Sequence, residues 1–440
     1  MAPRSRPPGG STVPASRLWR LARLGSMAGG VAGGMLLDGL SEVARGRRPR
    51  LEDLLMTPAN VLKVTDQLAR LRGAAMKMGQ LLSMEAGDVL PPELAAILER
   101  LRADAEPMPR AQVQAVLDRA WGRGWEKRFD YFAFRPVAAA SIGQVHRAQT
   151  SDGRDLAVKI QYPGVRRSID SDVDNVALLL RVSGLVPAHL DVAPLLDQAK
   201  RQLHEEADYE READCLERFG ALLSGDPHVV VPGVHRDLTR PDVLVMSYAE
   251  GRPIESLESA PQAERDRVGA LLVDLALREL FVFRLMQTDP NLANYRYDPA
   301  TRRVVLLDFG ATRAFPPELA AGCRALALAG LSRDREASER ALLELGLLDE
   351  SVPARHRQNV LSTFETALEP ILATDVFDFG DATILRRLRE DGMAFAQERE
   401  GWRLPPVDAL FLQRKFGGTY LAAARLKARV DVKTILARYL

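Results

Sequence analysis

A chain of 440 residues, 46% hydrophobic and 27% charged, is long enough for a two-lobed globular domain with extensions, and a formal net charge of +1 excludes the global positive field of a nucleic-acid-binding protein. Two cysteines, Cys215 and Cys323, exclude a disulfide framework and favour a reducing compartment, and the six histidines show no metal-ligand spacing. Only 8 of the 60 basic residues are lysine, which together with abundant Ala, Leu and Gly points to a GC-rich genome and a bacterial source.

Residues 1–50 read as a basic, Gly-rich arm. The first 37 residues contain no acid but include Arg4, Arg6, Arg17, Arg20 and Arg23, and the arm closes on the basic cluster 45–50. The uncharged run 24–37 is too short and too rich in glycine for a membrane-spanning helix, which needs about 20 apolar residues. Two readings stand for it: a disordered tail leading into a Gly-rich helix, or a basic, small-residue segment that rests on an anionic membrane surface or packs on another helix. From 51 to about 120 apolar residues recur at helical spacing, broken at Pro91-Pro92 and around Pro107 and Pro109, so a helical extension is expected. Within it lies Lys77-Met78-Gly79-Gln80, where spacing alone makes Lys77 a polar residue of an amphipathic helix.

From 121 to 250 the pattern shifts to strands, interrupted by helical stretches at 168–185 and 195–222. An alanine-rich loop, Val137-Ala138-Ala139-Ala140-Ser141-Ile142-Gly143, precedes the strand Asp155-Leu-Ala-Val-Lys159-Ile-Gln161, which alternates around a central lysine. The following helical segment offers Glu205, Glu206, Asp208, Glu210 and Glu212. The apolar strand Pro241 to Tyr248, with Met246, runs into a polar, Gly-containing bend that looks like an interlobe hinge. Residues 251–440 read as mainly helical around short strands, with no internal repeat and no later uncharged run of spanning length.

The chemistry concentrates in that last region. Asp289-Pro290-Asn291-Leu292-Ala293-Asn294 is followed by Leu307-Asp308-Phe309-Gly310, and the apolar run Val304 to Leu307 supplies the buried strand that should deliver Asp308. Phosphoryl transfer requires a carboxylate near the incoming oxygen and oxygen ligands that hold Mg²⁺ against nucleotide phosphates. A catalytic loop carrying Asp and Asn, with a downstream Asp-Phe-Gly, supplies both. In that order Lys159 becomes the lysine that contacts the phosphates of ATP once a glutamate pairs with it, Asn294 and Asp308 the metal ligands, and Asp289 the acceptor-side carboxylate. His235-Arg236-Asp237-Leu238 spells a catalytic-loop signature, but position 242 is Asp rather than Asn and the motif precedes the expected hinge, so a turn between strands is expected there.

Two departures from ordinary kinases stand out. Alanines replace the glycines of the phosphate loop and cannot adopt positive φ freely, so the nucleotide should sit in a different geometry. Only Ala311 to Phe315 separate Gly310 from Pro316-Pro317, and no Ala-Pro-Glu follows, which removes the platform on which protein substrates dock.

With these motifs the chain resembles the UbiB/AarF atypical kinase family, nearest its Coq or ADCK branch. The matches are Lys77-Met-Gly-Gln80, Ala138-Ala139-Ala140-Ser141-Ile-Gly-Gln-Val-His146, Val158-Lys159-Ile-Gln, Glu206-Ala-Asp208-Tyr-Glu-Arg-Glu212, Asp289 to Asn294 and Asp308-Phe-Gly, running in family order from about residue 60 to 315. The resemblance implies an α+β, bilobal protein-kinase-like fold with an N-terminal helical extension, divided as 1–50, 51–120, 121–250 and 251–440. It implies that Glu212 pairs with Lys159, that Ala138, Ala139, Ala140, Ser141, Met246 and Tyr248 border the nucleotide, and that Lys77 and Gln80 reach the site with Glu206 and Asp208. It further implies ATP and Mg²⁺ as cofactors and a role in ubiquinone biosynthesis. Expected partners are a small-molecule or lipid acceptor, quinone-biosynthesis enzymes and an anionic membrane surface, but no nucleic acid. A cytoplasmic, peripherally membrane-associated location follows, because residues 426–440 carry charges where bacterial family members end in spanning helices. A protein kinase, a small-molecule phosphotransferase and a nucleotide-sensing scaffold are the alternatives.

Overall fold

The computed structural model describes residues 107–182, 193–381 and 406–440, apart from 141, 290, 350 and 352, together with 383 and 386. The basic arm, Lys77, Gln80 and Ser141 lie outside the described residues. The fold is α+β, as expected, and divides into two compact units. One holds the described residues up to Ala213 together with Val234–Tyr248, the other Asp214–Gly233 and Ala249–Leu440.

The first unit opens with α1 (Arg110–Trp121), whose Val113, Val116 and Leu117 recur at helical spacing and are buried. Gly122, at φ 83°, ends it in the left-handed region that glycine enters without steric cost. Four strands follow: β1 (Phe129–Phe132), β2 (Ala138–Ala140), β3 (Gly143–Thr150) and β4 (Asp155–Gln161). Helices α2 (Val165–Val182), α3 (Ala193–Glu206) and α4 (Tyr209–Leu222) come next, then the two-residue strand β5 (Val229–Val230) of the second unit, and β6 (Val243–Ser247) returns to the first. The sheet runs β1-β3-β4-β6, with β2 also paired to β3, all antiparallel. In β4 the period-two alternation separates two jobs. Leu156, Val158 and Ile160 enter a core with α1, Trp121, Trp125, Val243 and Val245, while Lys159 and Gln161 face the other side. Trp121, Trp125, Phe129, Phe132 and Phe134 close that core, with ring centroids 5.0–6.4 Å apart.

The helical stretch expected over 195–222 is broken in the structure at Ala207-Asp208, a correction with a visible cause. Gln161 Nε2 on β4 donates to the Ala207 carbonyl at 2.6 Å, which takes that oxygen out of the helical ladder. The Asp208 carboxylate then accepts the Arg211 N–H at 3.2 Å and starts α4 afresh. His235 to Leu238 form a turn between the bridges Val234–Met246 and Arg240–Val243, with Arg154 donating to the Asp237 carboxylate at 2.9 Å. Partial burial and the neighbouring Arg154 cation lower the His235 pKa. This copy of a catalytic-loop signature is structural.

The second unit contains β7 (Arg252–Pro253), α5 (Gln262–Arg278), β8 (Leu285–Gln287), β9 (Tyr295–Asp298), β10 (Arg303–Leu306), β11 (Thr312–Ala314), α6 (Pro317–Leu331), α7 (Arg335–Glu344), α8 (Ala354–Ala373), β12 (Phe377–Asp378), α9 (Val407–Arg425), β13 (Arg429–Val430) and α10 (Val432–Ala437). One sheet runs β5-β10-β9-β7, while β8 pairs with β11 and β12 with β13. Helix α5 packs against α9 and α10, and Gly269 permits the close approach of the turn after α9: a Cβ there would stand 2.3 Å from that of Ala428. Directly after α5 the chain forms a π-helical turn, Glu279–Phe283, which carries a glutamate inward before β8.

Candidate active site

The residues expected to handle nucleotide and acceptor fall into two groups, one in each unit. In the first unit Lys159 Nζ lies 2.7 and 2.9 Å from the two carboxylate oxygens of Glu212, with the side chains 8% and 1% exposed. The buried ammonium is thus held by both oxygens of a buried carboxylate, and the Tyr209 ring, 5.2 Å from Nζ, adds a cation–π wall. Lys159 is directly opposite Val145 and Leu244, and Ala157 is opposite Met246, so Met246 shares the face of Lys159. Tyr248 follows β6; its N–H donates to the Asp155 carbonyl at 2.8 Å, and the Arg147 guanidinium lies 4.1 Å over its ring.

The alanine-rich loop is itself half strand. Ala138, Ala139 and Ala140 pair with Val145, Gln144 and Gly143. Side chains longer than a methyl are absent, and the backbone stays in the extended register that alanine favours over positive φ. Gly143 is the position that must lack a side chain, since a Cβ would meet the Ile160 carbonyl oxygen at 2.3 Å and Tyr209 Oη at 2.8 Å. Glu206 closes α3 and Asp208 caps α4, so both stand at the same helix break as Glu212's helix start.

In the second unit the segment after β8 folds around the carbonyl of Asp289. That oxygen accepts Asn294 Nδ2 at 3.0 Å and Gln287 Nε2 at 2.6 Å. Asn291 Oδ1 accepts the Ala293 N–H at 3.1 Å and the Asn294 N–H goes to the Asn291 carbonyl, closing the short 3-10 turn Leu292–Asn294. The Leu307 N–H donates to the Asn294 carbonyl at 3.0 Å, which ties this loop to the end of β10, and Asp308 Oδ1 accepts the Gly310 N–H at 2.9 Å. Asn294 and Asp308 line one small cavity together with Glu279, Gln287, Tyr295 and Lys415. Phe309 is 1% exposed and packs on Phe219, with centroids 4.7 Å apart, which fixes the Asp-Phe-Gly backbone behind Asp308.

Sequence reasoning missed Arg414 and Lys415, consecutive residues of α9. Arg414 Nη2 donates to Asp289 Oδ1 at 2.6 Å. Lys415 Nζ reaches Glu279 at 2.9–3.0 Å, and Glu279 also accepts the Gln287 N–H at 3.0 Å. Burial works against the Lys415 ammonium, but Glu279 and Tyr295 outweigh it and hold its pKa up. Burial also pushes the Glu279 carboxyl up, against the pull of Lys415 and the Gln287 N–H. One signal was available: only 8 of the 60 basic residues are lysine, and Lys415 is one of them.

The chain is similar in sequence and in fold to known proteins. Residues 100–342 match the model of the ABC1 atypical kinase-like domain. The chain is 38% identical over 424 residues to the atypical kinase COQ8, mitochondrial, of Saccharomyces cerevisiae, covering 96% of this chain and 84% of that protein. It is likewise 38% identical over 425 residues to the atypical kinase COQ8B, mitochondrial, of Rattus norvegicus, covering 96% and 80%. Among solved structures, the complex of Rv3197 with erythromycin from Mycobacterium tuberculosis superposes with a TM-score of 0.61 at 26% identity, over 85% of this chain and 93% of that one. The two named relatives are mitochondrial by description and eukaryotic, and lend no support to the bacterial source expected from composition. Among the described residues no helix is long and apolar enough to cross a membrane.

Proposed function

The chain belongs to the ABC1 atypical kinase-like family, and on that premise we propose that it binds ATP with Mg²⁺ and transfers the terminal phosphoryl group to water or to a small or lipid acceptor, in support of isoprenoid quinone synthesis at a membrane surface. Lys159, oriented by Glu212, holds the phosphates. Asp289 orients the acceptor and takes its proton. Ala138, Ala139, Ala140, Ser141, Met246 and Tyr248 border the nucleotide. Lys77, Gln80, Glu206 and Asp208 tune how it sits and which acceptors enter.

The observation that carries this reading is the pairing of Asn294 with Asp308 in one cavity. Because the Asn294 Nδ2 is committed to the Asp289 carbonyl, its Oδ1 turns the other way, and an amide oxygen beside a carboxylate is the hard oxygen set that Mg²⁺ prefers. When bound, the ion offsets the charge of the phosphates. The short passage from Gly310 through β11 into α6 supports a small acceptor or water over a docked protein, since β11 is paired to β8 and no long activation segment intervenes. The test is a thermal-shift titration of ATP with and without Mg²⁺ on wild type and Asp308→Asn, beside the quinone content of cells that carry only that variant. A metal-dependent shift and a quinone level both equal to wild type would overturn the reading.

A further inference from the structure

Asp289 is held at two points, its side chain directly by Arg414 of α9 and its carbonyl by Gln287, which Glu279 links to Lys415 of the same helix. Its carboxylate accepts Arg414 Nη2 at 2.6 Å, with the Arg414 side chain 8% exposed and that of Asp289 22% exposed. Its carbonyl accepts Gln287 Nε2, and the Gln287 backbone is in turn held by Glu279, the partner of Lys415. Earlier on the same helix, Asp408 accepts Arg313 Nε at 2.8 Å and Phe411 lies 4.7 Å beneath the same guanidinium, so β11 is anchored to α9 as well. Positions 408, 411, 414 and 415 recur at three- and four-residue spacing and therefore share one face of α9.

Stability alone does not account for Arg414. Withdrawing a guanidinium from water costs desolvation that buried ion pairs often fail to return, and an apolar side chain of similar volume would often pack as well. What the arginine adds is direction. Its Nη2 holds one oxygen of Asp289 through a short charge-assisted bond and restricts the rotation that a short carboxylate at a loop otherwise keeps. We propose that Arg414 is a positioning residue for Asp289, holding the carboxylate in the single orientation from which it meets the acceptor. This role rests on the reading of Asp289 as the acceptor-side carboxylate, and it makes α9 part of the catalytic apparatus although no residue of that helix need touch substrate.

The experiment is steady-state ATP hydrolysis by the full chain for wild type, Arg414→Gln, Arg414→Lys, Asp289→Asn and the Arg414→Gln/Asp289→Asn double variant, with Arg425→Gln, an exposed arginine of α9, as control. Misplacement of a reacting group by an ångström costs about 100-fold, so Arg414→Gln should lower kcat by about 100-fold while KM for ATP stays within about twofold, and Arg414→Lys should lose only about tenfold. The double variant should be no slower than Asp289→Asn, because Arg414 acts through Asp289. The Mg²⁺-ATP thermal shift of Arg414→Gln should match wild type. An unchanged kcat in Arg414→Gln, or losses that multiply in the double variant, overturns the positioning role while leaving the nucleotide site intact. Should the glutamine variant not fold, Arg414→Lys alone and combined with Asp289→Asn decides by the same two criteria. A wild-type chain with neither turnover nor a metal-dependent shift would instead remove the reading of the whole site.

Discussion

Lys415 Nζ stands 2.9 Å from Glu279 Oε2, with the two side chains 2% and 1% exposed, and this buried pair props the backbone of Gln287 two residues before Asp289. Its neighbour Arg414 bonds the Asp289 side chain directly, so adjacent residues of α9 divide the labour between support and orientation.

Lys415→Met leaves the Glu279 carboxyl buried without its cation, and breaking one side of such a pair costs about 3–5 kcal/mol. Urea unfolding should show that loss, and Lys415→Met combined with Glu279→Gln should regain a large part of it. A single variant as stable as wild type would mean that the pair contributes nothing net to folding.

Glu212→Gln removes the charge that two hydrogen bonds bring to Lys159. A hydrogen bond to a charged group contributes about 1.5–3 kcal/mol, or about 10- to 100-fold in an equilibrium constant. ATP affinity, measured by isothermal titration with Mg²⁺ present, should fall by that amount. Wild-type affinity would show that Lys159 needs no partner to hold phosphate.

Gly143→Ala places a methyl 2.3 Å from the Ile160 carbonyl oxygen, a backbone atom that cannot turn away. The hairpin β2-β3 must shift, at a cost of about 1–3 kcal/mol. Thermal unfolding should register it together with weaker ATP binding, whereas Gly417→Ala, with open space around it, should leave both unchanged.

Stability should also respond to acid through Glu264. Arg267 holds its carboxyl down, against the opposing effect of burial, and Arg302 and Tyr297 help bring it to about 2. A folded value below the ordinary 4.5 means the contribution is fully present above pH 4.5 and is lost as pH falls through about 2. Glu264→Gln should therefore melt below wild type at neutral pH, with the gap closing between those two values. A gap of constant size across that range would show that Glu264 acts through packing alone.

What the sequence determined by itself was whatever depends on near neighbours in the chain. Alternation placed Lys159 on the face of β4 opposite Leu156, Val158 and Ile160, and the apolar run before Asp308 became β10, because a strand's period of two needs no distant information. The order of Lys159, Asp289, Asn294 and Asp308 likewise pointed to phosphoryl chemistry, since each motif is local. Tertiary structure alone decided the helix break at Ala207, where a side chain from β4 captures a carbonyl that propensity would have left in the ladder. It alone brought Arg414 to Asp289 across 125 residues and Lys415 to Glu279 across 136. Both belong to a helix whose own pattern is satisfied by packing on α5, and a buried charge reveals its purpose only when the chain has folded its partner into reach.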